Sequence, residues 1–429
     1  METSVTTPVR PWPELAIRVG LSLGLLYCIY VVSTRAVALW YFRYRPAPEG
    51  IHKAIQWDPA NPDYYAALGR FYERALVEAD LEESIHNYEK ATALSPHSAR
   101  YWADLGGVYE LAGRLPEAEV AYKRARELFP NSPRINWQLG NFLVRTGKVE
   151  EALPAFQKAI LGDPELRLPA FDLAWRAGAE PGLILDKMIP GDAQIHIQYL
   201  NYLAQTQRLD AATQAWNRLL ALGLPFEARA AFPYLDAMIQ GQRVDELVAA
   251  WKALEERFPT QIRKRTYDPN LMTNGDFESE ILNGGLGWRV RPVEGVVVSV
   301  DNLTFFDGTR SLRIGFDGKH NVDYRHVIHY IPVKPNALYR FMGYMRVQGL
   351  TTDSGLRFEL QDAYDRSRLY LETEHLVGTS SWSPQQLEFR TGPETHLLLL
   401  RIVRPPSRKF DNLIAGTVWV DRVSLNAVE

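Results

Sequence analysis

The amino-acid sequence predicts a multidomain chain of three parts: a transmembrane helix, an all-α solenoid of stacked helix pairs and an all-β sandwich. Three observations predict this. An uncharged apolar run lies near the N-terminus, a pattern recurs through the middle, and short β-rich runs separated by turn residues fill the C-terminal third. The chain has 429 residues, enough for two or three domains of about 100–200 residues each.

The apolar run near the N-terminus predicts a membrane-spanning helix. Residues 19–34 carry no charge, and apolar or aromatic residues extend the run from Leu15 to Phe42. A helix that crosses a bilayer needs about 20 apolar residues. We therefore predict a transmembrane helix over residues 15–42, preceded by an N-terminal tail of residues 1–14.

The same run has a second interpretation, a cleaved signal peptide. Ala36-Val37-Ala38 has the small-x-small form of a cleavage site, but the positive charge of Arg35 beside it favours an uncleaved anchor. Arginines on both sides of the run lean slightly toward a cytoplasmic C-terminal body. Gly20 and Gly24 have the small-xxx-small spacing that allows two helices to approach closely, which would give a homodimer.

The middle of the chain repeats itself, as Gly106 and Gly140, 34 residues apart, illustrate. Small, aromatic and proline positions recur in register around them. This pattern resembles the tetratricopeptide repeat, a pair of antiparallel helices with a period of about 34 residues. Because one pair cannot bury its apolar face alone, the units stack, and we predict about six to seven pairs over residues 47–262. The positions that carry the resemblance are Trp102, Leu105, Gly106, Tyr109, Ala118, Tyr122, Ala125 and Pro130, then Leu139, Gly140, Leu143, Ala152, Phe156, Ala159 and Pro164, and earlier Tyr65, Leu68, Gly69, Tyr72, Ser84, Tyr88, Ala91 and Pro96.

The resemblance implies that a protein partner binds in the concave groove of the solenoid. Candidate groove residues are polar or aromatic and lie between the packing positions of the first helices. The alternative is that they are ordinary solvated side chains, since polar residues are mostly exposed in any protein. The candidates are Tyr64, Asp104, Arg134, Asn136, Asn141 and Arg145.

The C-terminal segment, residues 270–429 after a linker of residues 263–269, predicts an all-β jelly-roll sandwich. Eight runs rich in Val, Ile, Tyr and Phe alternate with Gly, Asn, Asp and Pro turns. The segment opens with Asn270-Leu-Met-Thr-Asn-Gly-Asp-Phe-Glu278 and closes with Gly416-Thr-Val-Trp-Val-Asp-Arg-Val-Ser-Leu425. These motifs resemble the galactose-binding-like jelly rolls of the family 4/9 carbohydrate-binding modules.

That resemblance implies two kinds of site. A structural calcium ion would be held by acidic side chains at the opening and closing motifs, Asp276, Glu278 and Asp421, because carboxylate oxygens are preferred calcium ligands; the alternative is that these acids cap turns without metal. Glycan binding would use exposed aromatic rings and polar partners. The candidates are Trp288, Tyr324, Tyr364, Tyr370 and Trp382, with Arg325, Gln361 and Arg368.

Other chemistries are disfavoured by the sequence. The net charge of −3 and the lack of a long basic run argue against nucleic-acid binding, and a single cysteine, Cys28, excludes intrachain disulfides. Three residues apart on a strand, His326 and His329 face opposite sides. Glu372 and Glu374 share a strand face, which we interpret as solvated. Without a phosphate loop or a nucleophile elbow, we predict a non-enzymatic protein with no cofactor other than the implied calcium.

Three functions remain open. The resemblance of the sandwich outweighs the weak signal of the arginines, so we expect the body of the chain on the extracytoplasmic side. The first function is a membrane-anchored scaffold with a periplasmic body, which would bind a protein partner through the repeats and a polysaccharide through the sandwich. This combination is similar to accessory proteins of cell-envelope or exopolysaccharide assembly. The second is a protein-complex assembly factor with no sugar binding. The third is an ancillary subunit of a membrane complex whose helix packs against partner helices.

Overall fold

The computed structural model describes residues 12–74, 80–262 and 270–428. Most of the predicted N-terminal tail and the whole predicted linker of residues 263–269 lie outside the described residues. The chain divides into two compact units, Met1–Pro190 and Gly191–Glu429.

The predicted membrane helix is present as α1, Trp12–Tyr44. Most residues of its part Ala16–Tyr44 are exposed. This part is long and apolar enough to cross a membrane, a test that a signal sequence also passes. The C-terminal end of α1 differs from the rest, because Ala38 is completely buried. It packs in one cluster with Ile51 and Leu68 of the helices that follow.

The rest of the first unit consists of paired antiparallel helices. Each helix has one apolar stripe that faces its neighbours, as expected for helices that stack into a solenoid. The last pair is irregular, since α9 is followed by one short turn of helix and a π-helical turn, Ile184–Met188. The helices are α2 Pro48–Trp57, α3 Pro62–Arg74, α4 Leu81–Leu94, α5 Ala99–Leu111, α6 Leu115–Leu128, α7 Pro133–Arg145, α8 Val149–Gly162, α9 Arg167–Arg176 and α10 Pro181–Leu183.

Contacts between glycine and an aromatic ring set the spacing within each regular pair. A Cβ atom added to Gly140 would lie 2.5 Å from the ring of Phe156. The same construction at Gly106 gives 2.9 Å to the ring of Tyr122. Since real Cβ atoms do not approach rings so closely, only glycine lets the two helices of these pairs pack at this distance. The predicted small and large positions of the repeat are thus in contact.

The second unit contains two further helix pairs and the β-sandwich. The helices keep the apolar spacing of the repeats in a degenerate form, as predicted. Together with the first unit, they bring the number of pairs that follow α2 to six in the described part of the chain. They are α11 Ala193–Gln205, α12 Leu209–Ala221, α13 Phe232–Gln240 and α14 Val244–Arg257.

The sandwich consists of two five-stranded antiparallel sheets. Sheet A has the strand order β1-β4-β9-β6-β7 and sheet B the order β2-β3-β10-β5-β8. Alternating side chains of both sheets form one buried core. Eight of the strands correspond to the predicted runs, and the short strands β1 and β7 are additional. The strands are β1 Arg289–Val290, β2 Val296–Asp301, β3 Ser311–Asp317, β4 Tyr324–Pro332, β5 Leu338–Leu350, β6 Arg357–Asp362, β7 Tyr370–Glu372, β8 Gly378–Arg390, β9 Leu397–Arg404 and β10 Ala415–Ala427.

A glycine turn before β1 packs the sandwich against the last helix pair. Gly285 has a φ of +55°, and a Cβ atom there would lie 2.3 Å from the ring of Trp251 on α14. A Cβ atom on Gly284 would lie 2.2 Å from the ring of Phe232 on α13. Next to the turn, Arg289 forms an ion pair of 2.5 Å with Asp236. The helices α13 and α14 and the sandwich are therefore packed together within the second unit.

Candidate functional site

The first candidate site is a cavity of about 500 Å³ in the first repeats. Residues of α3, α5 and α7, the first helices of three successive pairs, supply most of its wall. Four arginines dominate the lining. We call this site the arginine cavity; it is lined by Arg70, Glu73, Arg74, Tyr88, Arg100, Ala103, Asp104, Gly107, Arg134 and Gln138.

Asp104 lies among three of these arginines, and only 9% of its side chain is exposed. Its carboxylate is 3.4 Å from Arg70 Nη2, 3.8 Å from Arg100 Nε and 3.5 Å from Arg134 Nη2. The other acid of the cavity, Glu73, accepts a 3.0 Å hydrogen bond from Tyr88. Four guanidinium groups against two carboxylates give the cavity a net positive charge, in a chain whose overall charge is −3.

The second candidate site is the outer face of sheet A. On β6, Phe358 and Leu360 point into the core, so the alternating residues Arg357, Glu359 and Gln361 lie on the outer face. Strand pairing adds residues from the neighbouring strands, since Glu359 pairs with Arg401 and Gln361 with Tyr370. We call this surface the polar face; its residues are Arg357, Glu359, Gln361, Tyr370, Glu372 and Arg401.

The side chains of the polar face form one continuous hydrogen-bond network. Arg401 donates 2.6 Å to Glu359 through Nε and 2.8 Å to Gln361 through Nη2. The hydroxyl of Tyr370 lies between the carboxylates of Glu359 and Glu372. At the far end, Arg357 Nη1 donates 2.7 Å to Glu372. A connected network of this kind holds its members in one arrangement.

Aromatic rings flank this network. Tyr330 on β4 and Tyr370 on β7 lie in the same row of the sheet, separated by β9 and β6. Arg366 covers the ring of Tyr370 at 3.6 Å, and Arg289 lies 5.2 Å from the ring of Tyr330. The hydroxyl of a neighbouring tyrosine, Tyr364, is buried and has no hydrogen-bond partner among the described residues, and burial raises its pKa to about 12.

Two sequence profiles of the tetratricopeptide repeat match residues 73–133 and 111–170. The chain contains tetratricopeptide repeats. Among solved structures, PilF of Pseudomonas aeruginosa is similar at 20% identity and a TM-score of 0.28, over 54% of this chain and 93% of that one. No curated protein sequence matches this chain.

The sandwich resembles carbohydrate-binding modules in fold. A family 16 carbohydrate-binding module is 19% identical with a TM-score of 0.26, over 37% of this chain and 100% of that one. The structure of TmCBM61 in complex with β-1,4-galactotriose is 14% identical with a TM-score of 0.27, over 38% of this chain and 100% of that one. Similarity at this level concerns the fold alone.

Two of the predicted groove residues lie in the arginine cavity and two are buried elsewhere. Asp104 and Arg134 line the cavity. The predictions for Tyr64 and Asn136 are wrong, since their exposed fractions are 2% and 0%. Tyr64 packs in the core next to α1, because its ring follows the apolar stripe of α3. Asn136 donates to the carbonyls of Pro130 and Ser132, in the turn between α6 and α7.

The other two predicted groove residues are not in the lining of the arginine cavity. Arg145 forms a 2.6 Å ion pair with Glu110 outside the cavity lining, and Asn141 donates to the Trp137 carbonyl one turn earlier. Sequence reasoning missed Arg70, Arg74 and Arg100. A signal was present for one of them, because Arg100 and Arg134 are 34 residues apart, the period of the tetratricopeptide repeat.

The predicted glycan-binding residues divide among three places. Gln361, Tyr364 and Tyr370 lie on or beside the polar face. Arg325 and Arg368 are held in ion pairs near it, with Asp323 at 2.9 Å and Glu394 at 2.7 Å respectively. The residues missed by sequence reasoning are Glu359, Arg357, Arg401, Glu372, Tyr330 and Arg366. The alternation of Arg357, Glu359 and Gln361 with apolar residues could have indicated the first of them.

Trp288 and Tyr324 are not in the non-core positions that the sequence suggested. Their exposed fractions are 1% and 0%. The Trp288 ring packs against Phe277, and its Nε1 donates to the Asn274 carbonyl at 2.9 Å. Tyr324 packs edge-on against Phe316 in the same core. Both rings stabilise the sandwich and offer no face to a sugar.

Trp382 lies on β8 of sheet B, apart from the polar face. It stands edge-on to Phe306, with 5.8 Å between the ring centroids. Phe306 stacks on Tyr344 at 3.8 Å. We call Phe306, Tyr344 and Trp382 the aromatic shelf. The aromatic candidates therefore belong to two different sheets and do not form one site.

The predicted calcium ligands have a different role in the structure. The three acids form no metal-binding cluster, and no group of three or more His, Cys, Asp or Glu suited to a metal occurs in residues 12–74, 80–262 and 270–428. The Glu278 carboxylate accepts from the backbone N–H groups of Thr309 and Arg310. Asp421 Oδ2 accepts from those of Phe306 and Asp307. Because backbone donors occupy these oxygens, both residues cap one loop, and the residues do not fit a calcium site with Asp276.

Asp421 makes the stability of the sandwich depend on pH. Burial raises the pKa of its carboxyl from 3.8 to about 6, although hydrogen bonds from backbone N–H groups oppose the shift. Between these two values the folded state holds a proton that the unfolded state has lost. Stability should therefore fall as pH rises from about 4 to about 6, by about 2–3 kcal/mol, and stay level above.

The pH effect can be measured by urea denaturation from pH 4 to pH 7. Asp421→Asn removes the titrating group, so the difference in unfolding free energy between the two proteins should change across this range. Asp411→Asn, at an exposed acid, is the control and should leave the pH profile unchanged. A constant difference between wild type and Asp421→Asn would contradict the assignment.

Proposed function

We propose that this chain is a membrane-anchored, non-enzymatic scaffold that binds a glycan with the polar face of sheet A and a protein partner with its repeats. Its place would be in cell-envelope or exopolysaccharide assembly, with the body on the extracytoplasmic side. The observation that carries the glycan proposal is the connected network of Arg357, Glu359, Gln361, Tyr370 and Arg401.

The composition of the polar face suits a sugar chain. Sugar hydroxyls need both donors and acceptors, and the network offers guanidinium groups, carboxylates and an amide side by side. The rings of Tyr330 and Tyr370 flank the network, and a sugar would stack on the ring faces that Arg289 and Arg366 do not cover. Three strand spacings of about 4.8 Å separate their strands, so the rings are about 14 Å apart, a span that favours a chain over a single sugar.

Rigidity of the polar face also supports binding. Only 2% of the Glu359 side chain is exposed, and 19% of that of Arg401. Groups that are held in place before a ligand arrives lose little conformational entropy when it binds.

The N-terminal helix supports membrane anchoring over signal cleavage. Cleavage after Ala38 would remove this buried residue from its cluster with Ile51 and Leu68. An anchor leaves the cluster intact. Gly20 and Gly24 have no atom within 4 Å of an added Cβ, so a second copy of the helix could approach there and form a homodimer.

The test is glycan binding by the full chain in detergent micelles, first on an array and then by titration calorimetry with the best ligand. Gln361→Ala removes the central amide but leaves the ion pair of Arg401 and Glu359, and it should weaken binding about tenfold, or about 1.4 kcal/mol. Gln348→Ala, at an exposed position of sheet B, is the matched control and should bind as wild type does.

A second function, a protein-complex assembly factor or ancillary membrane-complex subunit without sugar binding, is favoured by one observation. The charges of the polar face are already paired, Arg401 with Glu359 and Arg357 with Glu372, so the network could be purely structural. Absence of glycan binding at millimolar concentration, with the chain folded, would support this function. Equal binding by Gln361→Ala and wild type would move the sugar site away from the polar face.

A further inference from the structure

We infer that the arginine cavity is selective for an acidic segment of the protein partner, one that carries at least two neighbouring carboxylates. This inference rests on the proposed protein-binding role of the repeats and names the chemistry of the partner. The cavity has about 500 Å³, within the range of about 300–1,000 Å³ typical of ligand sites.

The arginines of the cavity come from three successive repeats. Arg70 and Arg74 lie on α3, Arg100 on α5 and Arg134 on α7. A ligand that contacts all of them must run along the groove across the repeats, as an extended chain does. The Asp104 carboxylate already occupies the point where Arg70, Arg100 and Arg134 converge, so a ligand meets the exposed sides of these side chains, which belong to three successive repeats.

Asp104 satisfies these arginines incompletely. Its three distances to them, 3.4, 3.8 and 3.5 Å, are all longer than the approximately 2.7–2.9 Å of a strong charge-assisted hydrogen bond. A guanidinium group has five N–H donors arranged to bind carboxylates in pairs. Arg100 also lies 3.9 Å from the exposed carboxylate of Asp63. Two carboxylates shared among three guanidinium groups still leave donors for carboxylates from outside.

The guanidinium groups are also accessible, although the internal acid is not. The exposed fractions of the side chains are 70% for Arg134, 53% for Arg100 and 35% for Arg70, but 9% for Asp104. An approaching ligand therefore meets positive charge first. A basic partner would have to reach a carboxylate that lies beneath the arginines, so the arrangement favours acidic over basic chains.

Variants of Asp104 and of the arginines should change the affinity for an acidic peptide in opposite directions. In Asp104→Asn the internal carboxylate no longer competes for the arginines, so affinity for an acidic peptide should rise, by about threefold or more. In the double variant Arg100→Gln and Arg134→Gln, affinity should fall at least tenfold. The matched control is Arg124→Gln with Arg176→Gln, which removes the same charge at arginines outside the cavity lining.

The experiment measures fluorescence anisotropy of a labelled heptapeptide, Gly-Glu-Glu-Gly-Glu-Glu-Gly, with the full chain in detergent micelles. Peptides with Gln or Lys in place of Glu test the sign of the charge, and circular dichroism checks the fold of each variant. We expect binding of the Glu peptide alone, weakened as sodium chloride rises from 50 to 300 mM.

Several results would overturn the inference: equal binding of the Gln peptide, an unchanged affinity in the double variant, reduced affinity in folded Asp104→Asn, or no binding of any peptide. Displacement of the peptide by 10 mM inorganic phosphate would likewise reduce the cavity to a general anion site. The proposed function fails separately, since glycan binding is measured on the other unit and binding of an uncharged peptide in the groove would retain a protein-binding role.

Discussion

Replacement of Arg404 by methionine should lower the free energy of unfolding of the sandwich by about 3–5 kcal/mol, because each buried acceptor left without a donor costs about 1–3 kcal/mol. Arg404 is completely buried, with an exposed fraction of 0%. Its guanidinium group donates 2.7 Å to both Asn321 Oδ1 and the Val322 carbonyl, and 3.1 Å to the Ser354 carbonyl. One side chain thus joins two loops at one end of the sandwich.

The expected loss of stability is large because the Arg404 charge is buried and has no acidic partner in hydrogen-bonding contact. Burial lowers the pKa of its guanidinium group, yet an arginine keeps its proton in proteins. The carbonyl oxygens therefore compensate the loss of hydration. Methionine fills a similar volume but leaves these oxygens without donors.

Hydrogen exchange of the amides of β4 and β9, with urea denaturation, measures the loss. Arg404→Lys keeps the charge but has fewer hydrogen-bond donors, so its free energy of unfolding should lie between those of wild type and Arg404→Met. Arg408→Met, at an exposed position nearby in the sequence, should change stability by less than about 0.5 kcal/mol. If Arg404→Met were as stable as wild type, the hydrogen bonds of this residue would not hold the loops.

Gly140→Ala should destabilise the repeats by up to about 2 kcal/mol, the difference between a cost of about 1–3 kcal/mol for overpacking a filled site and a gain of about 1 kcal/mol from alanine. The new Cβ atom would lie 2.5 Å from the ring of Phe156, a side chain that is completely buried. This cost exceeds the gain of about 1 kcal/mol that alanine brings over glycine inside a helix.

A neighbouring glycine provides the control with the opposite sign. At Gly107 the added Cβ atom meets only the Tyr122 hydroxyl at 3.6 Å, an ordinary contact, so Gly107→Ala should stabilise the protein by up to about 1 kcal/mol. Thermal unfolding measures both variants. The double variant Gly140→Ala with Phe156→Leu, which removes the ring edge, should recover part of the loss; no recovery would show that the clash is not the cause.

The repeat fold could be predicted because the residues that pack together recur at fixed, short spacings in the sequence. Gly106, Gly140, Tyr122 and Phe156 recur at a fixed period, and the structure places each glycine against its ring. The site was harder to predict, because the arginine cavity depends on which residues of successive helices turn to the same side. Tyr64 and Asn136 show the difficulty, since polar and aromatic residues also serve as core and cap.

In the sandwich the limit was the pairing of distant strands. Arg401 and Glu359 meet because β9 lies next to β6, a neighbourhood that no local pattern encodes. Alternation within β6 indicates one face, but not which strands complete it. Trp288 precedes β1 in a loop, where alternation gives no guidance, and only the packing against Phe277 shows that its ring is buried. The opening motif indicated the acid Glu278, whereas its hydrogen bonds depend on a loop about 30 residues away.

The turn at Gly284 and Gly285 has a mechanical consequence. Because its backbone packs directly on the rings of Phe232 and Trp251, force applied to the sandwich passes straight into α13 and α14. A pulling force on a ligand bound to sheet A would therefore displace the sandwich and these two helices together, because the turn between them does not stretch. A larger side chain at Gly285 would separate the sandwich from α13 and α14 and weaken this mechanical coupling.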